Sequence, residues 1–164
     1  AIFSPEELRE ILRASPSKVV RDVAIGAFAG IRSAEIARLD WQDILWEPGY
    51  IEIRAAKAKT KARRLVPLHD NLRAWLEPHR RVEGAICRSG SLCDWLAKAS
   101  RDCGVEWRHN ALRHSYASYR LAQVQDAPKV ALEMGNSPQM LFRHYRELVT
   151  PAAAAEWFKI MPSA

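Results

Sequence analysis

The chain has 164 residues, enough for one domain that buries roughly 70% of its unfolded surface and too few for two. Its 48% hydrophobic and 27% charged residues exclude a disordered chain, and no apolar run nears the ~20 residues of a membrane span. A net charge of +6 with pI near 9.5 favours a polyanionic partner, a merely solvated basic surface being the plain alternative. The opening AIFSPEELRE carries no export signal. Cys87, Cys93 and Cys103 are odd in number and lack CxxC spacing, so neither a disulfide framework nor a zinc site is expected and a reducing cytoplasm fits.

In chain order, Ser4-Pro5-Glu6-Glu7 predicts a capped helix running to about Ala14. Val19, Val20, Val23, Ala24 and Ala27 recur at helical spacing and predict a buried helix ending near Gly30. The turn then presents Arg32, and Ser33 is expected to cap a short helix carrying Glu35, Ile36 and Leu39. From Ile44 to Pro67, β-branched stretches broken by Pro48-Gly49 predict a three-stranded antiparallel sheet. A basic loop interrupts it, Ala55 to Arg64, holding Lys57, Lys59, Lys61, Arg63 and Arg64. Such a run is either a solvated hairpin tip or a phosphate-binding finger. Further helices are expected over Asn71 to Pro78, Ser91 to Cys103, Asn110 to Val124, and Ala127 to Met134 closed by Gly135. A short helix opened by Ser137-Pro138 leads to Tyr145, and Thr150-Pro151 caps a last helix ending near Ile160. The fold class expected is mainly α with a small three-stranded antiparallel β-sheet (α+β), in a single domain.

Four segments, GIRSAEIARLDWQDI, KTKARRLVPL, NALRHSYASYRLA and MGNSPQMLFRHYREL, occur in an order that resembles the tyrosine recombinase (phage integrase) family over almost the whole chain. The resemblance implies the catalytic-domain fold of that family and a DNA cutting and rejoining activity. In it two arginines hold the scissile phosphate, a hairpin lysine protonates the leaving oxygen, and a tyrosine attacks phosphorus to give a 3'-phosphotyrosine. No metal or nucleotide cofactor is implied. The amino-terminal DNA-clamping domain usual in the family is not among these residues.

The residue types suit this chemistry. Guanidinium is permanently charged and planar and can grip two phosphate oxygens at once, and Arg32 and Arg113 match the family's pair. Lys59 matches the leaving-group acid by its spacing to the LVPL strand, with Lys57 and Lys61 as rivals. Tyr145, nine residues after Asn136, matches the nucleophile; its phenol, with an ordinary pKa near 10, needs its proton removed or its anion stabilised. Glu35, three residues after Arg32, is expected either to orient that guanidinium or to form an ordinary surface pair. His114 is expected to pack beneath the site. Lys57, Lys61, Arg63 and His109 are the DNA-contact candidates.

Two positions depart from the family pattern. Asn110 stands where HxxRH usually begins with His or Lys, and Asn136 stands where His or Trp usually follows glycine. An amide donates to phosphate but accepts no proton at neutral pH, so His109 or His114 is left as a possible replacement at the first position. Three functions compete: an active site-specific recombinase or integrase, an impaired integrase-like protein that only binds DNA, and a topoisomerase of related chemistry. The first is preferred, with double-stranded DNA as partner, a monomer off DNA and a homo-oligomer, expected as a tetramer, on it, and no membrane association. Trp157, Phe158 and Ile160 give the tail an apolar side that docks in cis or on a neighbouring subunit.

Overall fold

The computed structural model describes residues 2–59, 61–87, 92–144 and 149–163, with the side chains of residues 92 and 144 outside the description. Helix α1 spans Pro5–Ala14, its N-terminus closed by the reciprocal bonds of Ser4 and Glu7. Helix α2, Ser17–Ala29, is apolar nearly all round and therefore central: Val23, Ala24, Ile25, Ala27 and Phe28 are fully buried, and helices α4 (Asp70–Leu76), α5 (Leu92–Cys103) and α6 (Ala111–Val124) pack around it. It ends at Gly30 in the left-handed conformation, where a Cβ would run into the ring of Tyr116. Only glycine lets α2 stop that close to α6.

Helix α3 is a single turn, Ser33–Ile36, and Arg32 rather than Ser33 is its N-cap. The expected extension to Leu39 is absent because the chain turns; Leu39 is buried beyond the helix end. Strands β1 (Ile44–Leu45), β2 (Tyr50–Ile53) and β3 (Arg64–Pro67) form the antiparallel sheet in the order β1-β2-β3. Ile51 pairs with Val66 and Ile53 with Arg64, which puts Arg64 inside a strand and not in the basic loop. The remaining helices are α7 (Ala127–Met134), α8 (Pro138–His144) and α9 (Pro151–Trp157). The mainly helical architecture with one small sheet agrees with the sequence expectation.

The carboxyl-terminal segment docks on its own chain. Trp157 is fully buried, stacks on Tyr119 with ring centroids 4.3 Å apart, meets Phe28 edge-on at 6.0 Å, and donates its indole N–H to the Ala27 carbonyl at 3.0 Å. Ile160 is also buried. This anchors α9 against α2 and α6, the two helices that deliver Arg32 and Arg113. Trp157→Ala is expected to cost about 3–5 kcal/mol by loss of buried area and a residual cavity, measurable as a lowered urea midpoint.

Candidate active site

Two guanidinium groups meet at the carboxyl-terminal turn of α7. Arg32 Nη2 donates to the Gly135 carbonyl at 3.1 Å and to Asn136 Oδ1 at 3.1 Å. Arg113, in the first turn of α6, donates from Nη2 to the Met134 carbonyl at 2.8 Å and to the same Asn136 Oδ1 at 3.2 Å. Its Nη1 reaches the Gly30 carbonyl at 2.5 Å. The acceptors are the free carbonyls at two helix ends, where partial negative charge collects, so each helix terminus stabilises the cation it holds. Gly135 is left-handed, and a Cβ on it would lie 3.1 Å from Arg64 Nη1 and 3.3 Å from Arg32 Nη1. A side chain there would push into the guanidinium layer.

Glu35 lies directly behind this pair and is 1% exposed. Its carboxylate takes a two-pronged grip from Arg64, Nη1 to Oε2 at 2.9 Å and Nη2 to Oε1 at 2.7 Å. It also accepts the backbone N–H of Lys59 at 3.1 Å and that of Arg32 at 3.3 Å, while Arg32 Nη1 stands 3.6 Å away. Glu35 thus does more than orient Arg32, and it is no surface pair: it ties the Arg32 turn, the Lys59 loop and β3 to one point. Burial pushes its carboxyl up, but the bonds and charge of Arg64, then the Lys59 N–H and the charge of Arg32, outweigh it and hold the pKa at about 2. Arg64 is the residue that the sequence reading missed. Its Nε further donates to the Glu133 carbonyl at 3.0 Å, joining β3 to the α7 turn.

A second buried network supports the same turn. The Glu133 carboxylate receives Arg120 Nε at 3.1 Å and Nη2 at 2.9 Å, and the Tyr116 hydroxyl at 3.1 Å. Burial first, then the Glu133 charge, push the Tyr116 phenol well above its ordinary range, so it stays protonated and donates. His69, 3.4 Å from the Tyr116 hydroxyl, is held down to about 3 by burial and by Arg120, and is neutral at physiological pH. Arg120 and Glu133 gave no signal in the sequence beyond their i,i+13 separation across two helices.

In front of the arginines opens a cleft of about 320 Å³ whose lining includes Arg32, Lys59, Asn110 and Arg113, with Cys93 and Trp107 on its walls. Lys59 is exposed in the loop between β2 and β3. Asn110 is exposed and left-handed at φ 55°, the N-cap of α6. That conformation is one asparagine tolerates better than most residues. His109 is exposed beside it, and His114 is half-buried on α6.

The other basic-loop residues divide. Lys57 Nζ lies 2.7 Å from Oδ2 of the fully buried Asp43, whose Oδ1 faces Arg54 Nε at 2.9 Å, so Lys57 braces the base of the loop. Arg63 is exposed but bonded to Glu52 at 2.8 Å, and Lys61 is exposed with a left-handed backbone. Tyr145 lies outside the described residues, as does the side chain of His144. Among the described residues no cluster of three His, Cys, Asp or Glu could hold a metal, and no helix is long and apolar enough to cross a membrane.

Comparison with known proteins bears on the family and the fold. A family model described as "Phage integrase family" matches residues 2–149. The chain belongs to the phage integrase family. Among solved structures it is similar to one titled "Crystal structure of XerA recombinase", with a TM-score of 0.76 and 17% identity over 96% of this chain and 64% of that one. The shared fold is the mostly helical one with a three-stranded antiparallel sheet, and this chain spans less than two thirds of the XerA chain. A search of curated proteins found no match.

Within this integrase-family domain the Glu35–Arg64 pair is expected to carry stability as well as geometry. Arg64→Met leaves Glu35 buried without its main partner and should cost about 3–5 kcal/mol in chemical denaturation. Because the folded carboxyl sits near 2 against 4.5 ordinarily, its contribution, about 3 kcal/mol, is complete above pH 4.5 and disappears as pH falls towards 2. Stability curves of Glu35→Gln should lack that acid-side slope.

Proposed function

We propose that this domain is the catalytic part of a site-specific recombinase that cleaves and rejoins DNA through a 3'-phosphotyrosine. The observation that carries the reading is that Arg32, in the turn after α2, and Arg113, on α6, distant in sequence, both reach one oxygen, Asn136 Oδ1, at 3.1 and 3.2 Å beside a cleft that Lys59 and Asn110 also line. Two fixed guanidinium groups that can share one oxygen suit a phosphodiester whose nonbridging oxygens gain charge in the transition state.

In this reading the Tyr145 oxygen attacks phosphorus and a new P–O bond forms as the bond to the 5' oxygen breaks. Lys59 gives its proton to that leaving oxygen, which departs as a 5'-hydroxyl, while the phenol proton passes to solvent, since Asn110 has no basic atom. Rejoining is the reverse. Arg32 and Arg113 hold the phosphate throughout, and Glu35 and Arg64 hold Arg32 and the Lys59 loop. In the same reading the exposed Asn110 and Lys61 donate to DNA phosphates, and the exposed His109 touches the backbone beside them. The net charge of +6 supplies the long-range attraction. Assembly into a homo-oligomer on DNA, a tetramer across two sites, completes the proposal.

A nicked duplex that releases a short 5' fragment on cleavage tests the roles one by one. The unaltered chain should form a covalent protein–DNA adduct and Tyr145→Phe should form none. Arg32→Ala or Arg113→Ala should slow adduct formation about 10²–10³-fold. Lys59→Ala should lose about 10²-fold on the ordinary phosphodiester and little on a duplex with sulfur in the 5' bridging position, because a thiolate leaves unprotonated. No adduct from the unaltered chain at high concentration would favour the DNA-binding protein without catalysis, the reading to which Asn110 and Asn136 point.

A further inference from the structure

Asn136 occupies a place that an amide donor to phosphate would not need. It is the side-chain carbonyl, not the NH2 group, that faces the two arginines, accepting from Arg32 Nη2 at 3.1 Å and Arg113 Nη2 at 3.2 Å. The backbone around it is fixed, since its N–H bonds the Ala131 carbonyl at 2.9 Å and Gly135 closes α7. Only the side-chain torsions are free to change this contact. A neutral carbonyl bridging two cations supplies partial negative charge at the point where their fields add, and an ionised oxygen would bind there more strongly.

We propose that the Asn136 carbonyl is a built-in stand-in for one nonbridging phosphate oxygen: it fills the gap between the two guanidinium groups when no DNA is bound, and the phosphate displaces it. This deepens the reading of Arg32 and Arg113 as the phosphate-binding pair and rests on it. The carbonyl keeps two like charges from separating in the empty site. Asn136 is then a positioning residue in the free protein, and it sets a threshold that weakly held anions must overcome.

Sulfate, whose charge is constant near neutrality, is the probe, and its affinity is read from the Arg32 and Arg113 side-chain N–H resonances during titration. A site competent only after its internal competitor leaves binds more weakly by the fraction of time it is free. Asn136→Ala should therefore bind sulfate about threefold more tightly, or better, with the rest of the amide spectrum unchanged. Asn136→Asp, of the same shape but fully charged, should hold both forks and weaken sulfate at least about tenfold. Weaker sulfate binding by Asn136→Ala than by the parent would overturn the proposal, because the amide would then serve only as a donor to the anion. So would parent-like affinity in Asn136→Asp. Should the nicked duplex trap no adduct while the sulfate order holds, the recombinase reading fails and the guarded anion site stands.

Discussion

Two like charges held within reach of one oxygen repel each other, and at protein-surface dielectrics that repulsion is on the order of a few kcal/mol. Arg32 and Arg113 are held in this position because several neighbouring acceptors are aimed at them. The Met134, Gly135 and Gly30 carbonyls and the Asn136 amide receive their N–H groups, and Glu35 places a full negative charge behind Arg32. The rest of the fold can be understood as what keeps those acceptors still. Helix α2 is buried continuously from Asp22 to Ala29 and ends on a glycine because Tyr116 leaves no room for a side chain, and that end delivers both the Gly30 carbonyl and the Arg32 turn.

The α7 turn is secured from two sides. Arg64 binds the Glu133 carbonyl from the sheet, and Arg120 and Tyr116 bind its carboxylate from α6. Buried ion pairs contribute little net stability compared with apolar packing of the same volume, but they fix relative placement, since breaking either partner leaves a charge stranded. In this domain two buried pairs, Glu35–Arg64 and Glu133–Arg120, flank the site rather than fill the core. Their effect is to make the approach of the arginines a property of the whole scaffold. The same Glu35 oxygen that takes an Arg64 prong takes the Lys59 backbone N–H, so the root of the basic loop is fixed while the lysine side chain faces the cleft.

How much of this was legible in the sequence follows from the range of each interaction. Helices α1, α2, α6 and α7 were readable because caps, glycine stops and apolar spacing are local, and the sheet because a Pro-Gly turn separates β-branched stretches. Arg32 and Arg113 were readable through motifs that recur across the family, although nothing local reveals that they share an acceptor. Arg64 was not, since the doublet Arg63-Arg64 continues a run of exposed cations. The signal was present in the strand period: Arg64 alternates with exposed Leu65 and so faces inward with Val66. Lys57 was grouped with the DNA contacts for the same reason, and its partner Asp43 is a buried acid fourteen residues away that no local pattern identifies. The helix start at Arg32 was misread by one residue because Ser33 is the better intrinsic cap, while Glu35 accepting the Arg32 N–H decides the boundary instead.

Strand cleavage by this domain requires one phosphate to be gripped by both arginines at once. A crystal structure of this domain with a duplex carrying the cleavable phosphate measures that directly. It should place nonbridging oxygens of one phosphate within hydrogen-bond distance of both Arg32 and Arg113, with the Lys59 amine beside the bridging oxygen. Arginines bound to separate phosphates, or a DNA backbone that bypasses the cleft, would contradict it.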